Sequence, residues 1–369
     1  MTIFSRFRWV LGILVIGAGL LDTPRVAADS KADWARMRAI VPRGYVCRST
    51  SRPPKIDGRL DDPAWAAAAW TDRFVDIEGK SKPKPRFLTR AKMLWDHEFF
   101  YIAADMNEPH VWGTLTRHDS VIFHDNDFEV FIDPDGDTHE YYEFEMNALN
   151  TGWDLFLPRP YKDGGRADNS WEIPGLKTAV DVRGTLNDPS DVDRGWSVEI
   201  AIPWKVLARS ANRKSPPAPG DQWRVNFSRV EWRHLLKDGK YAKVPGKRED
   251  NWVWSPQGII DMHRPEKWGI VQFSDGKTAT RFRPDPAGPA RTALMTIYHH
   301  QKSYVGKHRK WAGSLEDLGL GSEKWTGLSR RPVIRLTPKG YVATVEIRTA
   351  GGETQRWQVR WDSRLSRVR

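Results

Sequence analysis

From Ile56 onward, apolar and polar residues alternate in short runs rather than at helical spacing. AKMLWD and FFYIAADM flank His97-Glu98, so residues 91–106 predict a hairpin. DFEVFID and EYYEFEMNAL form a second strand pair around Pro134-Asp135-Gly136-Asp137. LKTAVDVRG and WSVEIAIPW form a third, joined through Asn187-Asp188-Pro189-Ser190, and DQWRVNFSRVEW and KWGIVQFS complete the set. PWKVLAR, residues 203–209, predicts one helical turn. Strands at this spacing, with almost no helix between them, predict a mainly β fold, an antiparallel β-sandwich of jelly-roll type.

The two ends break the pattern. Arg6 and Arg8 precede an apolar run from Trp9 to Leu21, followed by Val26-Ala27-Ala28. This order predicts a secretory signal peptide over residues 1–28, and hence a secreted or periplasmic protein with no stable membrane span after cleavage. Residues 29–53 read as a leader with a short helical stretch near Trp34–Ile40, and residues 54–280 hold the sandwich. RFRPDPAGPAR, residues 281–291, reads as a linker. Residues 292–369 predict a small basic α+β module, with Leu294, Ile297 and Tyr298 on one helix face, three alternating runs after it, and a hairpin turn at TAGGET.

Composition adds three facts. The 19 Trp residues far exceed ordinary usage, so they serve either tight packing or flat ligand platforms. Cys47 is the single cysteine and allows no internal disulfide, leaving the fold to its core. Charge is unevenly placed: residues 281–369 hold 18 Lys/Arg against 7 Asp/Glu, while the sandwich is nearly neutral. Such a basic segment outside the cytoplasm is expected to meet an anionic polysaccharide or envelope surface, or simply water, and no nucleic acid partner is expected.

The candidate chemistry sits in VIFHDNDFEVFIDPDGDTHEYYEFEMN, residues 121–147. Phe128, Val130 and Ile132 share one strand face; Asp127, Glu129, Phe131 and Asp133 share the other, and Glu143 and Glu145 lie on the next strand. If Glu129 approaches Glu145, the two repel unless a cation, an arginine or sugar hydroxyls stand between them. Arg229 is the candidate counter-charge. Asp133, Asp135, Asp137 and Glu140 offer hard oxygens of the kind calcium takes, or else form an ordinary polar turn. Trp252 and Trp232 follow charged stretches and are the candidates for exposed rings, and the charged loop 233–250 is a candidate wall or lid. No nucleotide, dinucleotide or serine-hydrolase motif is present, and the histidines have no zinc spacing.

PKIDGRLDDPAWAAAAW, AKMLWDHEFFYIAADMNEP, DNDFEVFIDPDGD, WSVEIAIPWKVL and PEKWGIVQFS occur in this order over residues 54–274. The order resembles carbohydrate-binding module family 9, in particular its secreted, stand-alone relatives. The resemblance implies a sugar held between two aromatic rings, with polar side chains on its hydroxyls and calcium as a structural ion. One ring position is filled by Phe123; the other holds Met262, a departure. Glu129 takes the place of an acidic ligand contact, Asn147 matches, and Glu145 stands where sugar-binding members can carry Arg, a second departure.

The expected function is therefore carbohydrate binding in polysaccharide catabolism, at a site of Phe123, Glu129, Glu145, Asn147, Arg229 and Met262 with Trp232 or Trp252 nearby, with no required cofactor. Two alternatives compete. One is a glycoside hydrolase using Glu129 and Glu145 as acid and base. The other is a structural envelope protein whose sugar site has degenerated.

Overall fold

The computed structural model describes residues 30–277 and 279–368; the predicted signal peptide lies outside the described residues. The strands in chain order are β1 Gly44–Ser49, β2 Val75–Asp76, β3 Thr89–Trp95, β4 Phe99–Met106, β5 Asp127–Asp133, β6 Tyr141–Asn147, β7 Gly152–Leu157, β8 Lys177–Val182 and β9 Trp196–Pro203. They continue with β10 Gln222–Glu231, β11 His234–Lys237, β12 Lys240–Lys243, β13 Asp250–Val253, β14 Gly269–Ser274, β15 Val333–Thr337, β16 Gly340–Arg348, β17 Thr354–Arg360 and β18 Leu365–Val368. Twelve of them make one continuous sheet in the order β7-β6-β5-β10-β14-β1-β3-β4-β9-β8, with β13 and β2 added beside β10. This sheet curls over a single core. Phe128, Val130 and Phe227 from one half meet Phe100, Ile102, Val198 and Ile200 from the other. The mainly β sandwich expected from the alternation is therefore present, closed along one side by β14, β1 and β3.

That closing seam corrects the leader assignment. Residues 29–53 supply β1, which pairs in parallel with both β14 and β3, and its Cys47 is buried in the core. Tyr45 and Cys47 point into the core while Val46 between them is half-buried, and the apolar run YVC is too short to show that alternation in sequence. The helix Ser30–Arg38 in the same stretch belongs to the other end of the chain. Trp34 lies flat against His299 at 4.9 Å and 9°, and its Nε1–H donates to Thr296 Oγ1 at 2.9 Å.

The opening IDGRLDDPAW, residues 56–65, acts as a clamp on one buried carboxylate. Glu199 of β9 accepts Trp65 Nε1–H at 2.6 Å and the N–H groups of Asp57 and Gly58 at 2.8 Å each. Gly58 has φ +86°, and a Cβ there would stand 2.4 Å from the Val180 carbonyl carbon, so only glycine fits. The tryptophans serve packing above all: Trp65, Trp196, Trp204, Trp223, Trp254 and Trp268 are fully buried.

The C-terminal module is a four-stranded antiparallel sheet, β15-β16-β17-β18, covered by the helix Gly288–His308. The α+β expectation holds, but the module is docked rather than tethered. The helix begins within the predicted linker, and the segment before it is pinned by Gln222 and Gln272, which bond the backbone of Arg281 and Arg283. At the other contact Arg364 donates to Asp137 at 2.6 Å and Glu140 at 2.9 Å, and His139 Nε2–H meets the Asp362 carbonyl at 2.6 Å.

Where the helix Gly288–His308 packs against Trp34 and Glu266, burial pushes the His299 imidazole down to about 4. A histidine whose folded pKa lies below its usual value stabilises the fold above about pH 6.5 and loses that contribution as pH falls toward 4. Compared in urea unfolding, His299→Gln should gain stability relative to the native chain as pH falls from 6.5 to 4.

Candidate functional site

Strand register decides which side chains meet. Across the sheet Trp153, Glu145, Glu129, Ser228 and Val253 form one row, because β7 pairs with β6, β6 with β5, β5 with β10 and β10 with β13. Glu129 and Glu145 are thus direct cross-strand neighbours. Asp127 shares the face, two residues earlier on β5.

This face is not solvated. Asp127, Glu129, Glu143 and Glu145 are 0–4% exposed. Beside them a second apolar cluster covers the sheet, formed by Ile77, Phe131, Tyr141, Leu155, Met262 and Trp268. Burial pushes the Asp127, Glu143 and Glu145 carboxyls well up, and charge on Glu129 adds to each. Glu129 rises to about 7, chiefly through burial.

Phe123 sits on a short 3₁₀ turn, Ile122–His124, directly above this cluster. Its N–H donates to Glu145 Oε2 at 3.0 Å, and its carbonyl accepts Trp232 Nε1–H at 2.9 Å. The ring stays 36% exposed. The Trp153 ring lies 6.4 Å away at 34°, making a bent aromatic shelf rather than a parallel clamp. The Trp232 ring carries the Lys243 ammonium at 3.5 Å from its centroid, so a cationic edge flanks the shelf. Tyr161, nearly half exposed, feels the charge of Glu143 and Glu145 and so stands close to the same cluster. Sequence reading named neither Trp153 nor Tyr161. The signal for Trp153 was GWDLFL, a strand following the β6 turn whose register sets it opposite Glu145.

The structure therefore brings together Phe123, Glu129, Glu145 and Trp232. It does not bring Arg229, which is one residue past Ser228 and so points through the sheet. Fully buried there, its guanidinium pairs with Glu108 at 2.6 Å and Glu231 at 2.8 Å. Trp252 is buried beside it, edge-on to Phe87, in the main core. Asn147 is at the cluster face but spent on the backbone. It donates to the Leu115 carbonyl and Asp125, and accepts from the N–H groups of Leu149 and Thr151. Met262 is sealed at 9% exposure: Gln257 Nε2–H donates to its sulfur at 3.0 Å, and Trp268 Nε1–H to its carbonyl at 2.8 Å. It forms no second wall opposite Phe123. The predicted lid loop is the hairpin β11-β12.

The turn expected to hold calcium gathers three of its four acids: Asp133, Asp135 and Asp137 have oxygens within 4.8 Å of one another. Asp133 already accepts the N–H groups of Gly136 and Thr138 at 2.9 Å each, and Asp137 carries Arg364. Glu140 turns away to the same Arg364. Three of the four expected ligands thus stand together where an ion could be held, and Glu140 is drawn off to Arg364.

Glycoside hydrolysis requires two carboxyls flanking a bond in an open cleft. Glu129 and Glu145 are buried neighbours on paired strands, at 4% and 2% exposure. They can brace a site but cannot reach either side of a sugar linkage.

Removing Arg229 leaves Glu108 and Glu231 buried without a counter-charge. Arg229→Met should cost roughly 3–5 kcal/mol in urea unfolding. Phe123→Ala, a half-exposed change, should shift stability by under about 1 kcal/mol.

Comparison with known proteins agrees with the scaffold. Residues 56–217 match the family described as carbohydrate family 9 binding domain-like. The chain is similar to exoglucanase XynX of Acetivibrio thermocellus, 24% identical over 302 residues that make 72% of this chain and 25% of that protein. It is also similar to endo-1,4-beta-xylanase A of Thermotoga neapolitana, 27% identical over 168 residues, 43% of this chain and 13% of that protein. It thus spans a quarter or less of these curated relatives. Among solved structures, a family 9 carbohydrate binding module from Caldicellulosiruptor kristjanssonii in complex with cellotriose aligns at 15% identity and a TM-score of 0.41, covering 65% of this chain and 100% of that one. Residues 56–217 of this chain form a carbohydrate family 9 binding domain-like domain.

Proposed function

We propose that the sandwich binds a glycan without cleaving it, as an accessory to polysaccharide breakdown outside the cytoplasm. The observation that carries this is the Phe123–Trp153 shelf: an exposed ring fixed from behind by Glu145 and Trp232, in a domain of the carbohydrate family 9 type. A flat aromatic shelf takes the C–H face of a pyranose, and Lys243 at its edge is placed to meet hydroxyls. The reading requires no organic cofactor. Among the described residues no helix is long and apolar enough to cross a membrane. The signal-like residues 1–28 support export to a secreted or periplasmic location.

The relatives' names make glucan and xylan oligosaccharides the first ligands to test. In calorimetric titration the full chain should bind one of these sets. Phe123→Ala and Trp153→Ala should each weaken it about tenfold, the value of one aromatic contact of about 1.4 kcal/mol, without loss of fold. Binding unchanged in both variants would remove this site from consideration.

A second reading concerns the basic module. A cavity of about 1210 Å³ lies between it and the sandwich, lined by Arg213, Arg281, Arg283, Arg291 and Arg367 with Trp357 as a wall. Arg291 already stands over the Trp357 ring at 4.8 Å. This supports an anionic polysaccharide or envelope surface as a partner. Retention on an immobilised polyuronate should fall with salt, and should drop further when Arg281 and Arg283 are both changed to Glu.

A further inference from the structure

The stretch before β1, the sandwich and the C-terminal module meet around a second cavity, of about 290 Å³. Its walls are largely apolar: Trp34, Ile40 and Pro42 come from the stretch before β1, Ile270 from β14, Phe282 from the segment after it, and Met295 from the helix Gly288–His308. Val41, 84% exposed, stands at the opening. The arginine-lined cavity borders this one across Arg224, Asp285 and Arg291, which line both. The six apolar wall residues all lie outside residues 56–217, so the family match does not reach them.

The charges on these walls do not balance. Lys267 is 5% exposed; its ammonium donates to the Ile40 carbonyl and, among the described residues, makes no ion pair. An ammonium offers more donors than one carbonyl takes. Neighbouring Glu266 does not answer it, being held by Lys162 at 3.0 Å. Arg224, also buried, shares the single carboxylate of Asp285 with Arg291, at 3.4 and 3.0 Å. Burial and the nearby Arg224 charge push the Lys267 ammonium down to about 8, as a buried cation short of counter-charge requires. A cation left in that state is costly, and an anionic group in the cavity removes the cost.

We propose that this cavity binds a small amphiphilic carboxylate, its apolar body among Trp34, Phe282 and Met295 and its carboxylate on Lys267. An apolar cavity of about 150 Å³ holds one benzene molecule, so this one holds roughly a dozen non-hydrogen atoms. That leaves no room for an oligosaccharide. One unpaired ammonium matches a singly charged carboxylate rather than a phosphate dianion. A fatty acid of medium length and a hydroxycinnamic acid share this chemistry, and decanoate and 4-hydroxycinnamate both have the size. A ligand held here touches all three parts of the chain at once, so it should tighten their docking. The cavity is separate from the Phe123 shelf, and its occupancy does not depend on glycan binding there.

The test titrates decanoate and 4-hydroxycinnamate, each beside its methyl ester, into the full chain by calorimetry at neutral pH, with thermal unfolding measured in parallel. One of the two acids should bind and raise the melting temperature, and its ester should bind at least tenfold more weakly. Decanoate as the ligand marks an acyl-chain cavity, 4-hydroxycinnamate a planar one. Lys267→Met should weaken that binding at least tenfold. Thr292→Trp, at an exposed helix position on the cavity wall, should do the same while leaving the Lys267 contact to Ile40 in place, and it decides alone if Lys267→Met does not fold. Phe123→Ala should leave acid binding intact. The proposal is overturned if neither acid binds, if an ester binds as tightly as its acid, or if either cavity variant binds like wild type. It is equally overturned if Phe123→Ala removes the binding, which would place the acid on the shelf.

Discussion

A carboxylate taken out of water must be met by something, and this fold is organised around how each one is met. Glu199 is met by an indole and two backbone amides, which locks the first loop onto β9. Glu108 and Glu231 are met by Arg229, which ties β10 to the segment after β4. Asp137 and Glu140 are met by Arg364, which fastens the C-terminal module to the β5–β6 turn. The row beneath Phe123 is met by neutral groups alone, Ser228 at Glu129 and the Phe123 N–H at Glu145, and it is the row that supports the exposed aromatic shelf.

The basic C-terminal segment looks different in this light. Its positive charge is partly internal, since Arg364 and Arg291 face acids and carbonyls of the sandwich and of the linker. The helix Ser30–Arg38 packs on the module from one side while β1 enters the sandwich from the other, so residues before and after the sandwich are bound to both parts. A module held in this way fixes the walls of the arginine-lined cavity, so the cavity is part of the fold rather than a gap between loosely tethered units.

Family likeness and site chemistry part company at two positions. Met262 replaces an expected ring and is drawn into the cluster around Trp268, where a flexible thioether fills space and accepts a hydrogen bond from Gln257. Glu145 replaces an expected cation and adds charge to a face that already has too much. The shelf is instead completed by Trp153 from the neighbouring strand. The scaffold is retained while the binding surface is rebuilt from other residues.

The alternation of Phe128, Val130 and Ile132 determined by itself that β5 lines a core, because a period of two sends every second side chain to one face. The hairpin at residues 91–106 and the α+β tail were legible for similarly local reasons. Sequence could not decide the fate of the opposite face of β5. Whether Asp127 and Glu129 meet water depends on loops arriving from residues 75–79 and 259–264, far along the chain. Nor could it show that Arg229 points away from Glu129. One residue of register sends a side chain through the sheet, and only the pairing of β10 with β5 fixes that register.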